Sequence, residues 1–201
     1  MEDAGTTPPS AKRRVLHGLR ASIGVAVFAA LIALLLRLFV LQTFIVPSCS
    51  MWPTLRPGDR MLVLKVGDSL SRGAVVVFTR PARDYSAPAG EDLVKRIIGL
   101  PGETIWSDGN TIYVNGKPVV QPWLPKQERE ALGQPIRRQT IPAGDYFMMG
   151  DDRGASYDSR YWGPVPGSSI LGRVLLIVWR AGHPALQAVG GKSAMPATTC
   201  R

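Results

Sequence analysis

The chain has 201 residues, enough for one domain of ordinary size and a short additional segment. Hydrophobic residues make up 45% of it, and 21 glycines and 17 prolines with few aromatic residues favour short strands joined by turns over a helical bundle. The net charge is +9, but basic residues neither form runs of five or six nor alternate with aromatic residues, so we expect no nucleic-acid-binding function.

The N-terminal region predicts a membrane anchor. Residues 1–14 are polar and end in three consecutive basic residues, and an apolar stretch over 15–41 follows. As a helix, residues 15–36 would extend for about 33 Å, which suffices to cross the hydrocarbon core of a bilayer. The basic residues precede the apolar stretch, so the positive-inside rule places 1–14 in the cytoplasm and the rest of the chain outside.

Two alternatives to a retained anchor are a cleaved secretory signal and a lipoprotein signal. The apolar run is longer than the 7–15 residues of a secretory signal, and the sequence that ends at Pro47 is a poor cleavage site. In the lipoprotein alternative, Cys49 becomes a lipidated N-terminus. Pro47 and the charge of Arg37 inside the apolar core are unfavourable for that signal, so a retained anchor is preferred.

Residues 42–180 predict an all-β domain. Short runs rich in β-branched and apolar residues are separated by turn residues, and they predict strands at 61–66, 74–78, 104–106, 111–114, 146–149 and 170–179. Asp108-Gly109 predicts a hairpin between two of these strands. Residues 103–142 contain a small insertion that is rich in proline and charge, and 181–201 are interpreted as a flexible tail.

Histidine is poorly placed for catalysis, because His17 lies in the predicted anchor and His183 in the predicted tail. A serine nucleophile would therefore need another base, and a lysine can serve if its pKa falls well below about 10.4. Ser50 lies between two prolines directly after the anchor. Lys95 lies among the apolar residues of 93–98, which would favour its neutral form. The alternatives are an ordinary loop serine and a lysine on the solvated face of a strand.

The chain has two cysteines and two histidines without the spacing of a zinc site. We expect neither a metal nor an organic cofactor. The spacing of Cys49 and Cys200 does not reveal whether they form a disulfide.

Four segments, in this order, resemble the motifs of bacterial type I signal (leader) peptidase, a serine peptidase with a Ser/Lys dyad. They are Ser-x-Ser-Met-x-Pro-Thr-Leu at 48–55, Gly-Ala-Val-Val-Val-Phe at 73–78, Lys-Arg-Ile-Ile-Gly-Leu-Pro-Gly-Glu at 95–103 and Gly-Asp-Asp-Arg-x-x-Ser-x-Asp-Ser-Arg-Tyr-Trp-Gly-Pro-Val at 150–165. The resemblance implies an antiparallel β-sheet catalytic domain behind one N-terminal transmembrane helix.

The resemblance also implies the residue roles. Ser50 would be the nucleophile, Lys95 the general base, and Ser48 a donor to the oxyanion. Ser156 would orient the lysine amine. Asp158 and Arg160 would hold the last motif by an ion pair, and Asp151 and Arg153 would support the same loop. The substrate would contact five residues near the dyad: Val46, Pro47, Met51, Leu93 and Val94.

The implied activity is the removal of N-terminal signal peptides from exported preproteins after small-x-small sequences, through an acyl-enzyme. The substrate would lie extended beside residues 46–48 and 93–95. The expected partners are preprotein signal peptides and the lipid bilayer, near the secretion translocon, and the expected location is the outer face of the cytoplasmic membrane. Met51 and Trp52 would enter the membrane interface.

The chain departs from the family pattern at Cys49, where glycine is common, and at Asp152, Gly154 and Ala155 in the last motif. Two other functions stay open from the sequence. One is a specialised Ser/Lys peptidase that matures a single substrate of the pilin type. The other is a non-catalytic, membrane-tethered β-domain that binds exported chains.

Overall fold

The computed structural model describes residues 22–34, 40–65, 70–82, 90–189 and 200. The chain divides into two compact units, Met1–Val40 and Leu41–Arg201. In the first unit, residues 22–34 form helix α1, whose side chains are exposed throughout. Within the part of the chain that is described, no helix combines the length and apolarity needed to cross a membrane. The predicted cytoplasmic segment 1–14 lies outside the described residues, as do residues 15–21 and 35–39 of the predicted anchor 15–41.

The second unit consists mainly of β-strands. They are β1 (Leu41–Ile45), β2 (Arg60–Leu64), β3 (Val75–Thr79), β4 (Asp92–Gly99), β5 (Thr104–Asp108), β6 (Thr111–Val114), β7 (Lys117–Pro118), β8 (Gln139–Thr140), β9 (Asp145–Met149), β10 (Val165–Pro166), β11 (Ile170–Arg180) and β12 (His183–Ala188). Helices α2 (Lys126–Arg129) and α3 (Ser159–Trp162) and a 3-10 turn (Gly167–Ser169) are short.

The strands form two sheets in which every described pairing is antiparallel. The larger sheet has the order β1-β2-β11-β3-β4-β9-β10, and β12 pairs with β11. The smaller sheet has the order β7-β6-β5-β8. The predicted antiparallel β-domain is therefore confirmed.

Local sequence explains most of these strands. β3 is a run of β-branched and aromatic side chains, and its first four residues are buried, as expected for a central strand. In the hairpin of β5 and β6, Asp108 pairs with Thr111, so Gly109 and Asn110 form the turn, and Gly109 adopts a φ of 53°. A glycine accepts this left-handed conformation without a steric penalty.

The prediction of a flexible tail from residue 181 is wrong for His183–Ala188, which form β12. This strand is mostly exposed and contains a proline, so its sequence carries a weak strand pattern. Its conformation is stabilised by pairing with β11, an 11-residue strand that offers an edge for Leu176–Arg180. Tertiary pairing therefore overrides local preference here.

One hydrophobic cluster connects the segment after β1 to the large sheet. Val46, Met51 and Leu55 are buried together with Val75 of β3 and Val94 of β4. The cluster therefore holds the segment that contains Ser50 against the strand that contains Lys95. Met51 is only 1% exposed, so the prediction that its side chain enters a membrane interface is wrong.

Candidate active site

Ser50 and Lys95 come together in the structure although they are 45 positions apart. Ser50 lies in the turn-rich segment after β1, and Lys95 lies within β4 opposite Val76 of β3. The Lys95 Nζ atom is 2.5 Å from the Ser50 Oγ atom. This distance allows a proton to pass directly between the hydroxyl and the amine.

The Lys95 side chain is buried, with 3% of the residue exposed. Burial lowers the pKa of its amine from 10.5 to about 8, because the charged form loses hydration. The negative charges of Asp158 and Asp151 oppose this shift, and the positive charge of Arg160 adds to it. A fraction of the amine is therefore neutral near pH 7 and able to accept a proton.

Ser48 lies at the exposed side of Ser50. Its hydroxyl donates a hydrogen bond of 3.3 Å to the Ser50 Oγ atom. The carbonyl oxygen of Ser50 accepts a hydrogen bond of 3.2 Å from the N–H of Asp152. The two serine hydroxyls thus lie side by side, and the loop that begins at Gly150 supports the backbone beneath them.

Ser156 is buried in that loop, and its Oγ atom makes no hydrogen bond within the part of the chain that is described. The residue packs against Gly150, where an added Cβ would overlap both the Ser156 side chain and the carbonyl oxygen of Ser50. The loop therefore needs glycine at this position for its close approach to Ser50. The role of Ser156 in orienting Lys95 stays a prediction, because no hydrogen bond joins the two side chains.

Asp158 and Arg160 form a buried ion pair of 2.7 Å. Asp158 also caps α3, because its carboxylate accepts the N–H of Arg160, and it accepts the N–H of Gly150 at 2.9 Å. The guanidinium of Arg160 donates to the carbonyl oxygens of Ser156 at 3.0 Å and Arg153 at 2.6 Å. These contacts fix the backbone on both sides of Ser156.

A second buried network was not predicted from the sequence. Arg96 binds Asp151 through two hydrogen bonds of 2.8 and 2.5 Å, and neither side chain is exposed. The Thr54 hydroxyl donates to the same carboxylate at 2.5 Å, and Arg96 also donates to the carbonyl oxygen of Gly73 at 2.7 Å. The network thus joins the Ser50 segment, β4 and the loop after β9. The sequence does place a positive charge, Arg96, in one motif and a negative charge, Asp151, in another, which is compatible with an ion pair. Sequence alone, however, does not show which charged residues pair.

Arg153 supports the same loop. Its Nε atom donates to the carbonyl oxygen of Gly150 at 2.9 Å, and its side chain is buried. Burial lowers the pKa of its guanidinium to about 10, against the raising effect of Asp151 and Asp158. The Nη2 atom has no hydrogen-bond partner among the described residues.

The residues predicted to contact substrate differ in accessibility. Pro47 is exposed and Leu93 is half-buried, whereas Val46, Met51 and Val94 are 3%, 1% and 8% exposed. The N–H and carbonyl groups of Val46 are already bonded to the backbone of residues 58–59. The last three side chains are therefore buried beneath the site, and little of their surface is accessible to a substrate.

Strand β4 has an open edge beside Lys95. It pairs with β3 from Asp92 to Arg96, but with β9 only from Arg96 to Gly99. Among the described strands, none pairs with residues 92–94 on the β9 side. Unpaired backbone groups at such an edge can bind an extended peptide as an additional strand.

Comparisons with known proteins identify a family for most of the chain. The family model for signal peptidase, peptidase S26, matches residues 19–179. A signal peptidase I from Leptolyngbya laminosa is 34% identical over 176 residues, which cover 85% of this chain and 83% of that protein. Signal peptidase I T from Bacillus subtilis (strain 168) is 40% identical over 144 residues, which cover 67% of this chain and 71% of that protein.

Among solved structures, a signal peptidase I from Enterococcus faecalis V583 aligns with 30% sequence identity and a TM-score of 0.44 over 54% of this chain and 98% of that one. The family match covers most of the residues described above, including the segments of Ser50 and Lys95. The chain belongs to the signal peptidase family, peptidase S26, and is a serine endopeptidase.

Proposed function

We propose that this chain is a membrane-bound endopeptidase that removes N-terminal signal peptides from exported preproteins after small-x-small sequences. The observation that carries the proposal is the 2.5 Å contact between the Ser50 hydroxyl and the amine of the buried Lys95. The names of the relatives support the substrate class. The open edge of β4 beside Lys95 supports an extended peptide as the bound form.

In the proposed mechanism, Ser50 Oγ attacks the scissile carbonyl carbon while neutral Lys95 takes the hydroxyl proton. The oxyanion that forms accepts hydrogen bonds from the Ser48 hydroxyl and the Ser50 N–H. Collapse of this intermediate breaks the peptide bond, and Lys95 returns the proton to the leaving amine of the mature protein. Ser50 then carries the signal peptide as an ester, which water hydrolyses with Lys95 again as the base.

The surrounding residues are proposed to position this pair. Ser156 is buried beside Gly150 and would turn towards the lysine amine when substrate closes the site. Asp158 and Arg160 would hold the loop that carries Ser156 through their ion pair and the hydrogen bonds to its backbone. Leu93 and Pro47 would contact the small side chains that precede the cut.

The proposed location is the outer face of the cytoplasmic membrane, with the N-terminus in the cytoplasm and the translocon nearby. The side chains of α1 support a membrane anchor, because Val25 and Phe28 are 70% and 66% exposed and its other apolar residues are exposed as well. A helix that is apolar on all sides needs an apolar environment. The location rests on this property and on the basic residues at 12–14.

The test is cleavage of several preproteins by the full chain in detergent, with Ser50→Ala and Lys95→Met as inactive variants. Lys117→Met is a matched control, because Lys117 is an exposed lysine in β7. We expect the wild type and the control to cut after small-x-small sequences, and the two site variants to be silent. Cleavage by Lys95→Met at the wild-type rate would refute Lys95 as the base. Cleavage of one preprotein alone would favour the specialised maturation peptidase instead.

A further inference from the structure

The two cysteines of the chain form a disulfide directly beside the proposed nucleophile. Cys49 lies between Ser48 and Ser50, and Cys200 is the second-last residue. Their Cα atoms are 5.8 Å apart, a separation that is usual for disulfides. The bond connects residues 151 positions apart, so it links the nucleophile segment to the C-terminal end of the chain.

Hydrogen bonds and packing hold this segment mainly on the C-terminal side of Cys49. The carbonyl oxygen of Cys49 accepts the N–H of Trp52 at 2.8 Å, and the carbonyl oxygen of Ser50 accepts the N–H of Asp152 at 3.2 Å. Met51 is fully buried in the hydrophobic cluster under the segment. Ser50 and the residues after it would therefore keep their position without the disulfide.

The N-terminal side of Cys49 is held differently. Val46 is fixed by hydrogen bonds to residues 58 and 59. Within the described part of the chain, Pro47 and Ser48 form no main-chain hydrogen bonds, and both residues are exposed. The disulfide at Cys49 is thus the nearest covalent cross-link to the backbone that carries the Ser48 hydroxyl, and it adds to the hydrogen bond that the Cys49 carbonyl oxygen accepts from Trp52.

We infer that the Cys49–Cys200 disulfide is a positioning element of the active site, which holds Ser48 where its hydroxyl can reach the oxyanion. The inference rests on the proposed roles of Ser48 and Ser50. Reduction converts the disulfide into two thiols, with two electrons and two protons supplied by a dithiol that becomes a disulfide itself. The freed Cys49 then lets Ser48 leave its position beside Ser50 Oγ, while the contact of Ser50 with Lys95 remains.

A disulfide that positions Ser48 makes the rate of peptide cleavage depend on whether the catalytic domain lies in a reducing or an oxidising compartment. Disulfides form and persist in oxidising compartments outside the cytoplasm, and cytoplasmic thiols are kept reduced. The proposed catalytic domain acts outside the membrane. The enzyme would therefore reach its full rate only after that domain has left the reducing cytoplasm.

The test compares kcat and KM for one preprotein with the full chain in detergent, oxidised and after treatment with dithiothreitol. Alkylation followed by intact-mass measurement reports the state of both cysteines. Removal of one oxyanion donor costs about 10²–10³ in kcat, and we expect reduction to lower kcat by at least about tenfold with little change in KM. Cys200→Ser should have the low kcat in both conditions.

Ser48→Ala distinguishes positioning from general support of the fold. If the disulfide acts through Ser48, reduction should change the already low kcat of Ser48→Ala by less than about twofold, as expected for two changes that act on one interaction. A full additional loss of rate on reduction of Ser48→Ala would overturn the inference. So would unfolding of the reduced wild type at the assay temperature, measured by tryptophan fluorescence, because the disulfide would then act through global stability.

The outcomes also separate this inference from the proposed function. If oxidised wild type cuts no preprotein, the proposed function fails. If it cuts preproteins at the same rate before and after reduction, the proposed function stands and the positioning role of the disulfide is refuted. A higher rate after reduction would refute it as well, because the disulfide would then restrain the site unproductively.

Discussion

Replacement of Lys95 by methionine is expected to stabilise the folded chain at neutral pH. The lysine is 3% exposed, and burial lowers its pKa from 10.5 to about 8. Below pH 8 the amine is protonated in both the folded and the unfolded state, so the folded state bears the full cost of a buried ammonium group. The difference between the two pKa values corresponds to about 3 kcal/mol.

The free energy of unfolding of the wild type should depend on pH, because the pKa of Lys95 differs between the folded and the unfolded state. Between pH 8 and 10.5 the unfolded chain still binds the proton and the folded chain has released it, so stability rises with pH in this range. Methionine has a similar length and no charge. The free energy of unfolding of Lys95→Met should therefore exceed that of the wild type by about 3 kcal/mol near pH 7, and the difference should shrink from pH 8 to 10.5.

The assay is guanidinium unfolding of both proteins in the same detergent, followed by tryptophan fluorescence from pH 6 to 10.5. Lys117→Met is the control, since its lysine is exposed and its replacement should change the free energy of unfolding little at any pH. A difference between Lys95→Met and wild type that does not vary with pH would refute the reasoning. So would a variant that is less stable than the wild type at pH 6.

Three further changes test the loop around the site. Asp151→Asn leaves Arg96 buried without its counter-charge, so the free energy of unfolding should fall by about 3–5 kcal/mol in denaturant titration; a loss below about 1 kcal/mol would contradict a buried pair. Gly150→Ala should lower both stability and kcat, whereas Gly154→Ala, whose new Cβ would meet only an oxygen at 3.7 Å, should leave both near wild type. Ser156→Ala should keep the melting temperature, because no hydrogen bond is lost, but lower kcat; an unchanged kcat would exclude its lysine-orienting role.

Much of the β-domain could be predicted from the sequence, because β-branched runs and turn residues are local signals. The predicted strands at 111–114 and 146–149 agree with β6 and β9 to within one residue. β12 was missed because its stability comes from pairing with β11 and not from its own residues. The disulfide between Cys49 and Cys200 was beyond prediction for a related reason, since their approach depends on the path of the whole chain.

The candidate site was predictable only in part. Motif resemblance and the apolar neighbours of Lys95 were sufficient to select Ser50 and Lys95, and the structure brings the two together. The sequence left open a solvated position for Lys95 and Arg96, the usual location of charged residues in a strand. Both side chains are buried, and their partners, Ser50 for Lys95 and Asp151 for Arg96, are remote in the sequence.

The two neighbouring cations of β4 differ in their partners, and this difference bears on the proposed role of Lys95 as the base. Arg96 binds the carboxylate of Asp151, and Arg160 binds that of Asp158, so the two carboxylates that raise the pKa of Lys95 already have cationic partners. Among the described residues, Lys95 forms no ion pair. A carboxylate in direct contact would stabilise the ammonium form and raise the pKa of Lys95 further. The arginines therefore hold the loop together and also leave the lysine with a hydroxyl as its neighbour, in keeping with a pKa lowered to about 8 and a neutral fraction of the amine near pH 7.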